Sequence, residues 1–483
     1  MAIKEKALGS EHPEVARSVL DLAGLYIAQQ RFGEAEPVAK RAIATYEKVR
    51  GLDHPDVAES VFVLAFMYEF QHRHAEAEPL YKRVVQIYER VYGPDHPKVG
   101  TGLNQLAELY YRAGRYAEAE PLYKRVLAIR EELHGTEHLK VAQALQNLAK
   151  LCAMQDRQAE AELLYKQALA IREKQLGPEH TDVAYSLNGL ADLYSDQGRC
   201  AESQSLYKRA LAIVEKSLGP KHPAVATCLN NLGDLYRVQG RYAECEHLHK
   251  RALTIRQDAL GPEHPHVADS LDRLADLYCA QGRYAESESL HERALTIRQD
   301  GLGPEHPDVA DSLNNLAEFY RTQGRYAESE PLHKRALMIW DKALGSEHRA
   351  VAASLNNLAE LYRAGGRYAE CEPLYQRALA IYEKALGPDH PFVATCLNNL
   401  AALYREQDRY AECELLHNRA LVIREKALGP NHPEVAVTLH NLVVLFAHQG
   451  RYPECDRLSK RALAISENAL DRKSTRLNSS HRL

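Results

Sequence analysis

Gly recurs every 42 residues through the chain without a single insertion. It stands at Gly9, Gly51, Gly93, Gly135, Gly177, Gly219, Gly261, Gly303, Gly345, Gly387 and Gly429. A His follows three residues later in all eleven cases, from His12 to His432, and Pro follows the His in eight, the exceptions being Leu139, Thr181 and Arg349. Arg31 and Glu34 recur in the same register as far as Arg451 and Glu454. A fixed period of this length is one supersecondary unit copied in tandem, and each copy can bury its apolar face only against its neighbours. The 483 residues therefore form one quasi-linear array, where length alone would predict two to four globular domains. Repetition also explains an odd composition, with 27 Tyr against 7 Phe and one Trp, and 23 His.

The units are numbered here as repeats 1 to 11, beginning at Gly9 and ending at Leu470. Repeat 8, Gly303 to Leu344, shows the pattern. Val309, Leu313, Leu316, Ala317 and Tyr320 fall at helical spacing and predict a helix A over roughly Pro307 to Gln323. Pro is tolerated at a first helical position and holds the residue before it extended, so His306 is the expected N-cap. Gly324 supplies the left-handed stop. Tyr326, Ala327, Leu332, Ala336, Leu337 and Ile339 predict a helix B over roughly Tyr326 to Leu344.

The Leu316, Ala317, Tyr320 pattern of helix A, followed by A-E and a B helix rich in small residues, resembles the tetratricopeptide repeat. The 42-residue period with G-P-E-H-P-x-V-A and L-N-N-L-A is similar to the kinesin-light-chain-like type, and the resemblance covers nearly the whole chain. It implies an all-α fold, a right-handed α-solenoid (superhelix) of tandem tetratricopeptide helical hairpins, with the A helices lining a concave groove.

Both ends depart from the register. Residues 1–8 match the end of a helix B, so they are expected to be part of a truncated repeat, and eleven full repeats occupy 9–470. After Leu470 the sequence DRKSTRLNSSH, Asp471 to His481, resembles a translated sequencing-adapter oligonucleotide. Residues 471–483 are expected to be a non-native tail and are set aside from function. Atypical capping units are missing at both ends, which points to a fragment of a longer array or of a larger protein.

At 100° per residue the packed stripe of helix A leaves Asp311, Asn314, Asn315, Glu318 and Arg321 on the opposite arc. Asn is a poor mid-helix residue because its amide competes with the backbone. Paired Asn nevertheless occurs in four repeats, at Asn230/Asn231, Asn314/Asn315, Asn356/Asn357 and Asn398/Asn399. The same four repeats carry Arg in the last turn of helix A, at Arg237, Arg321, Arg363 and Arg405. Carboxamides match an extended peptide backbone, and guanidinium forks match carboxylates. These twelve residues are the expected peptide-binding set. Repeats 8 to 10 would span about 20–40 Å, room for roughly six to twelve extended residues at about 3.3 Å each. Two other origins stay open for the pattern: recent duplication of one unit, and Asn–Asn bonds between adjacent A helices. Acidic residues on the same arc, Asp192, Asp234, Asp276, Glu318 and Glu360, could also neutralise some of the Arg.

Several chemistries are excluded. Lys and Arg number 61 against 66 Asp and Glu, a net charge of −5, which lacks the basic excess that drives nucleic-acid binding. One-base-per-repeat RNA reading needs variable side chains and a basic groove, and the repeated Asn offers neither. The loop His occur once per hairpin and do not converge as metal ligands must. They are expected as caps and packing residues, and His249, His291, His333 and His417 as packing replacements for Tyr81, Tyr123, Tyr165 and Tyr207. The nine Cys are odd in number, lack C-x-x-C and sit at small-residue positions, against a disulfide framework. No phosphate loop, nucleophile elbow or zinc spacing is present.

The expectation is a non-enzymatic, cytoplasmic protein-protein interaction scaffold binding an extended, acidic peptide segment. It uses no cofactor or metal and has neither nucleic acid nor membrane as a partner. The alternative is a ligand-sensing repeat array of a larger multidomain signalling protein whose catalytic domain lies outside this sequence.

Overall fold

The computed structural model describes residues 2–29, 31–71 and 73–480, with side-chain surroundings inside 4–467. Helices account for all regular structure among the described residues. Every A helix has 16 residues, as in Pro13–Ala28 or Pro307–Thr322. The complete B helices have 19, as in Tyr326–Leu344. Ala2–Leu8 forms a short helix, and the last B helix runs over Tyr452–Ser480. It thus continues through 471–480 of the expected tail, while 481–483 lie outside the described residues.

The predicted helix A ends one residue early, at Thr322, with Gln323 as its cap. Gly324 at φ +74° makes the turn and Gly303 at φ +91° opens the repeat, both in the left-handed region that favours glycine. Each loop His caps its helix. In all eleven repeats the imidazole Nδ1 accepts the backbone N–H two residues on, at 3.2 Å from Asp308 N to His306 Nδ1. An acceptor Nδ1 requires the proton, if there is one, to sit on Nε2.

The expected stripe of helix A is the core: Val309, Leu313, Leu316, Ala317 and Tyr320 are all buried. Helix B differs from expectation in part. Tyr326 and Ala327 are exposed in its first turn, while Ser329, His333 and Trp340 join Ala336 and Ile339 inside. Ser329, His333, Ala336 and Trp340 follow one another at four, three and four residues, which is one side of a helix whatever their polarity.

One ionic and aromatic contact recurs between successive hairpins within the two units. Arg325, at the A–B turn, lies over the Tyr320 ring at 4.2 Å. It donates to Glu328 of its own repeat (2.8 Å) and to Glu288 of the preceding repeat (2.9 Å). Tyr320 O–H also donates to Glu288 (3.1 Å). The same Arg, aromatic ring and preceding Glu recur at Arg73, Tyr68 and Glu36, at Arg199, Tyr194 and Glu162, and at Arg409, Tyr404 and Glu372. The recurring Arg of the A–B turn thereby bonds the adjacent unit.

Two compact units are present, Met1–Leu151 with Ala343–Gly345, and Cys152–Lys342 with Ser346–Leu483. The division falls in repeat 4, where Cys152 stands in the place of the stapling Tyr. Within each unit, hairpin packs on hairpin.

Removing one staple should loosen its own interface and little else. Arg115 stacks on Tyr110 at 4.2 Å and bonds Glu78 and Glu118. Its side chain is about one-third exposed, which screens the charges. Arg115→Ala should cost about 1 kcal/mol and speed amide hydrogen exchange in repeats 2 and 3 only. Unchanged exchange there would exclude the staple as the inter-repeat bond.

Candidate functional site

The surface with site potential is the outer side of the A helices in repeats 5 to 10, all within the second compact unit. Two columns dominate it, the pair of positions that follow the buried Leu, such as Asn314 and Asn315 after Leu313. The first member of each pair lies nearer the core and the second nearer solvent.

The eight Asn separate into three environments. Asn230 is 1% exposed and Asn398 is 5% exposed. Asn230 Nδ2 donates to Ser270 Oγ (3.3 Å), and its Oδ1 faces His249 Nδ1 at 3.0 Å. Asn398 does the same with Thr438 (3.1 Å) and His417 (2.7 Å). These two amides are consumed beneath the surface. A second group forms a ladder between neighbouring A helices. Asn357 Nδ2 donates to Asn314 Oδ1 (3.1 Å), and Asn399 Nδ2 to Asn356 Oδ1 (3.2 Å). Each link spans 43 residues, one more than the period, so the second column of one repeat meets the first column of the preceding repeat. This is why pairing matters: consecutive Asn–Asn repeats can each give one bond and take one. Asn231 and Asn315 are half-buried and, among the described residues, without a hydrogen-bond partner.

The four Arg also divide. Arg321 is held by Glu318 through Nε (2.7 Å) and Nη2 (2.5 Å). Arg363 bonds Glu360 (2.9 Å) and reaches Glu406 of the next repeat (2.6 Å). Arg237 and Arg405 are half-buried and form no ion pair or hydrogen bond among the described residues. Arg405 thus presents an open fork, whereas Arg237 lies within electrostatic reach of the Asp276 carboxylate.

Beneath the columns lies a layer that sequence reading treated as packing alone. Tyr123 and Tyr207 send their hydroxyls out to Glu108 (2.8 Å) and Asp192, respectively, and Tyr375 does so to Glu360. Where His replaces Tyr, the shorter ring turns instead to the first column, to Asn230, Asp272 or Asn398. His333 is the exception. Its Asn314 is engaged in the ladder, and both ring nitrogens are buried without a partner. Burial holds the imidazoles of His249, His333 and His417 down at about 4. The signal was available: each of the four repeats with His here carries Asn or Asp 19 residues earlier, at Asn230, Asp272, Asn314 and Asn398.

In repeats 5 to 7 the surface opens into a cleft of about 330 Å³, lined by Asp192, Asn231, Asp234, Val238 and Arg273 among others. Arg273 is paired with Asp234. None of the nine cysteines forms a disulfide among the described residues, and six are buried.

The sequence profile of the tetratricopeptide repeat family matches ten overlapping segments: 14–90, 56–132, 98–174, 164–216, 182–238, 229–300, 268–318, 308–370, 351–421 and 397–468. The chain belongs to the tetratricopeptide repeat family. It is thus an all-α solenoid of tandem tetratricopeptide hairpins of the kinesin-light-chain-like kind, an architecture that serves generally as a protein-interaction scaffold. No curated protein matches it. Among solved structures it is similar to the nearly identical repeats of a putative kinesin light chain from P. anserina, at 31% identity. That match covers 42% of this chain and 97% of that one, with a TM-score of 0.36. It is also similar to BtubC (BKLC) from P. vanneervenii, at 24% identity over 48% of this chain and 91% of that one, with a TM-score of 0.40. A Rap protein complexed with competence and sporulation factor matches at 13% identity over 86% and 99% of the two chains, with a TM-score of 0.46. Among the described residues no helix of the tetratricopeptide array is long and apolar enough to cross a membrane.

The buried His set a pH dependence. The folded state keeps these rings neutral, whereas the unfolded chain protonates them near pH 6.5. Their contribution is complete above that pH and is lost as pH falls towards 4. His333→Tyr, with a phenol placed to reach Glu318 as Tyr375 reaches Glu360, should add roughly 1–2 kcal/mol and flatten the fall in urea midpoint between pH 7 and pH 5. Equal slopes in the two proteins would rule this out.

Proposed function

We propose that the A-helix surface of repeats 6 to 10 binds an extended, acidic segment of a protein partner. The observation that carries the reading is the contrast among the four Arg. Arg321 and Arg363 are already satisfied by Glu318, Glu360 and Glu406, whereas Arg405 makes no ion pair among the described residues and Arg237 has only the more distant Asp276 carboxylate near it. A half-buried guanidinium without a carboxylate is a strong receptor for one, because part of its desolvation has already occurred and its fork is planar.

Arg405 is the principal acidic-residue contact and Arg237 a second one. The open amides of Asn231 and Asn315 are suited to the peptide backbone, since each can donate and accept. Asn314, Asn356, Asn357 and Asn399 hold neighbouring A helices in register and present their remaining amide atoms to the segment. Asn230 and Asn398 support from below. Arg321 and Arg363 serve mainly to fix the surface through their ion pairs, with a peptide carboxylate competing against Glu318 and Glu360. A protein partner in the cytoplasm, with no cofactor, fits this scheme.

A peptide array probed with the full chain tests the scheme. Acidic peptides should bind the native protein, and Arg405→Ala should weaken them about tenfold. That factor corresponds to roughly 1.4 kcal/mol, an ordinary value for a charge-assisted contact. Arg321→Ala should matter less. Acidic peptides that bind Arg405→Ala and native protein equally would remove Arg405 from the site, and no peptide binding at all would remove the groove reading.

A further inference from the structure

Five B helices carry an Arg in one column of the register, at Arg130, Arg172, Arg256, Arg298 and Arg424. The column reaches the first turn of the following A helix: Arg256 donates to His266 O (2.9 Å), Arg424 to Glu434 O (3.0 Å) and Arg130 to Lys140 O (2.9 Å). A guanidinium taken partly out of water needs acceptors and an opposite charge. Four of the five have both. Arg172, Arg256, Arg298 and Arg424 each donate to a hydroxyl, of Ser186, Ser270, Ser312 and Thr438 respectively. Arg298 is ion-paired with Asp269 and Asp272, Arg424 with Glu434 (2.7 Å) and Arg256 with Asp269 (3.7 Å), while Arg172 is in the field of Asp182.

Arg130 has neither. Ala144 stands at the hydroxyl position, and Lys140 stands where Asp182 and Glu434 do. The positions that give Arg298 and Arg256 their acids are here Thr101, Asn104 and Gln143. Burial draws the half-buried Arg130 guanidinium below its usual pKa, with no acid to offset it. Beside it, His134 and His138 stack at 4.5 Å, and Arg130, His138 and Lys140 all lie within electrostatic reach of His134. His138 Nδ1 accepts from Lys140 N–H (3.1 Å), which leaves its proton on Nε2. Among the described residues none of these four side chains forms an ion pair, and His134, His138 and Lys140 are exposed.

One repeat earlier the same four positions carry less charge. There the Lys98 ammonium lies over the rings of Tyr88 (5.5 Å) and Tyr92 (5.4 Å), and Tyr92 stacks on His96 at 4.4 Å. At the junction of repeats 3 and 4 both of those rings are replaced, by Arg130 and His134, so Lys140 loses its aromatic partners and gains cationic neighbours.

We infer that the junction of repeats 3 and 4 binds a phosphoryl group, as free phosphate or on a phosphorylated side chain, between Arg130, His134, His138 and Lys140. One carboxylate would match Arg130 alone, as Glu434 matches Arg424. A phosphoryl group brings about two negative charges and three acceptor oxygens, enough for the guanidinium fork, the ammonium and an imidazole N–H together. The site lies in the first compact unit and does not rest on the peptide reading of repeats 6 to 10.

The full chain is titrated at constant ionic strength with inorganic phosphate, with a neutral tripeptide centred on phosphoserine and with the same tripeptide centred on Glu, and heats are read by calorimetry. Phosphate and the phosphoserine peptide should bind, with the Glu peptide roughly tenfold weaker or more. Tighter binding of the phosphopeptide than of phosphate would assign the site to a phosphorylated protein, and the reverse order to the free ion. Lys140→Asp is the decisive variant. It gives Arg130 the acid that Glu434 gives Arg424, so the thermal midpoint should hold or rise while phosphate affinity falls roughly tenfold or more. The double change Arg130→Tyr with His134→Tyr, which restores the Tyr88 and Tyr92 arrangement, should lose phosphate in the same way. A native chain that binds no phosphate, a Glu peptide as tight as the phosphoserine one, or native phosphate affinity in Lys140→Asp would each overturn the site.

Discussion

Each hairpin depends on the contact that ties it to the hairpin before it. A two-helix unit of 42 residues buries too little surface to stand alone, so the stability of the array is a sum of interfaces. The Arg at most A–B turns serves this interface in three ways. It stacks on the Tyr of its own helix A, bonds the Glu of its own helix B, and reaches the Glu of the preceding repeat, as Arg325 does with Tyr320, Glu328 and Glu288. A guanidinium suits this role because its planar fork can be shared between two carboxylates while its face lies on a ring. A lysine could make one of these contacts and not all three.

The proposed binding surface is built on a second, inner set of polar contacts. Asn in the first column can turn inward to a buried His, as Asn230 and Asn398 do, or sideways to the next A helix, as Asn314 and Asn356 do. It cannot do both with one oxygen. The choice made in each repeat determines what remains open above it. Turning inward gives the imidazole Nδ1 a partner, whereas turning sideways leaves both nitrogens of His333 without one. The proposed recognition surface is therefore the remainder of an internal hydrogen-bond account, and neighbouring repeats with identical Asn–Asn pairs differ in what they expose.

The hairpins were almost fully legible in the sequence. The period, the Pro after His and the left-handed glycines are local signals, so the predicted Pro307 to Gln323 and Tyr326 to Leu344 agree with the observed helices to within one residue. The A-helix core was equally legible, because its apolar residues follow the helical period. Less was legible of the candidate site. Helical projection placed Asn230 and Asn314 on one arc, yet the first is buried and the second is half-buried in an inter-repeat ladder. The four Arg look equivalent in sequence, and two prove to be neutralised by acids three residues before or one repeat after them.

The sequence by itself determined the unit, its register and the residues that cap and staple it, because each of these is decided within one period or by its exact repetition. Only the tertiary structure decided which polar groups are spent and which are open. That depends on the partner column in the neighbouring repeat and on whether Tyr or His lies beneath, and such distances are absent from any one-dimensional pattern. Asp192 and Asp234 occupy the same place in adjacent repeats, but Asp192 accepts from a Tyr hydroxyl, whereas Asp234 stands beside a buried imidazole.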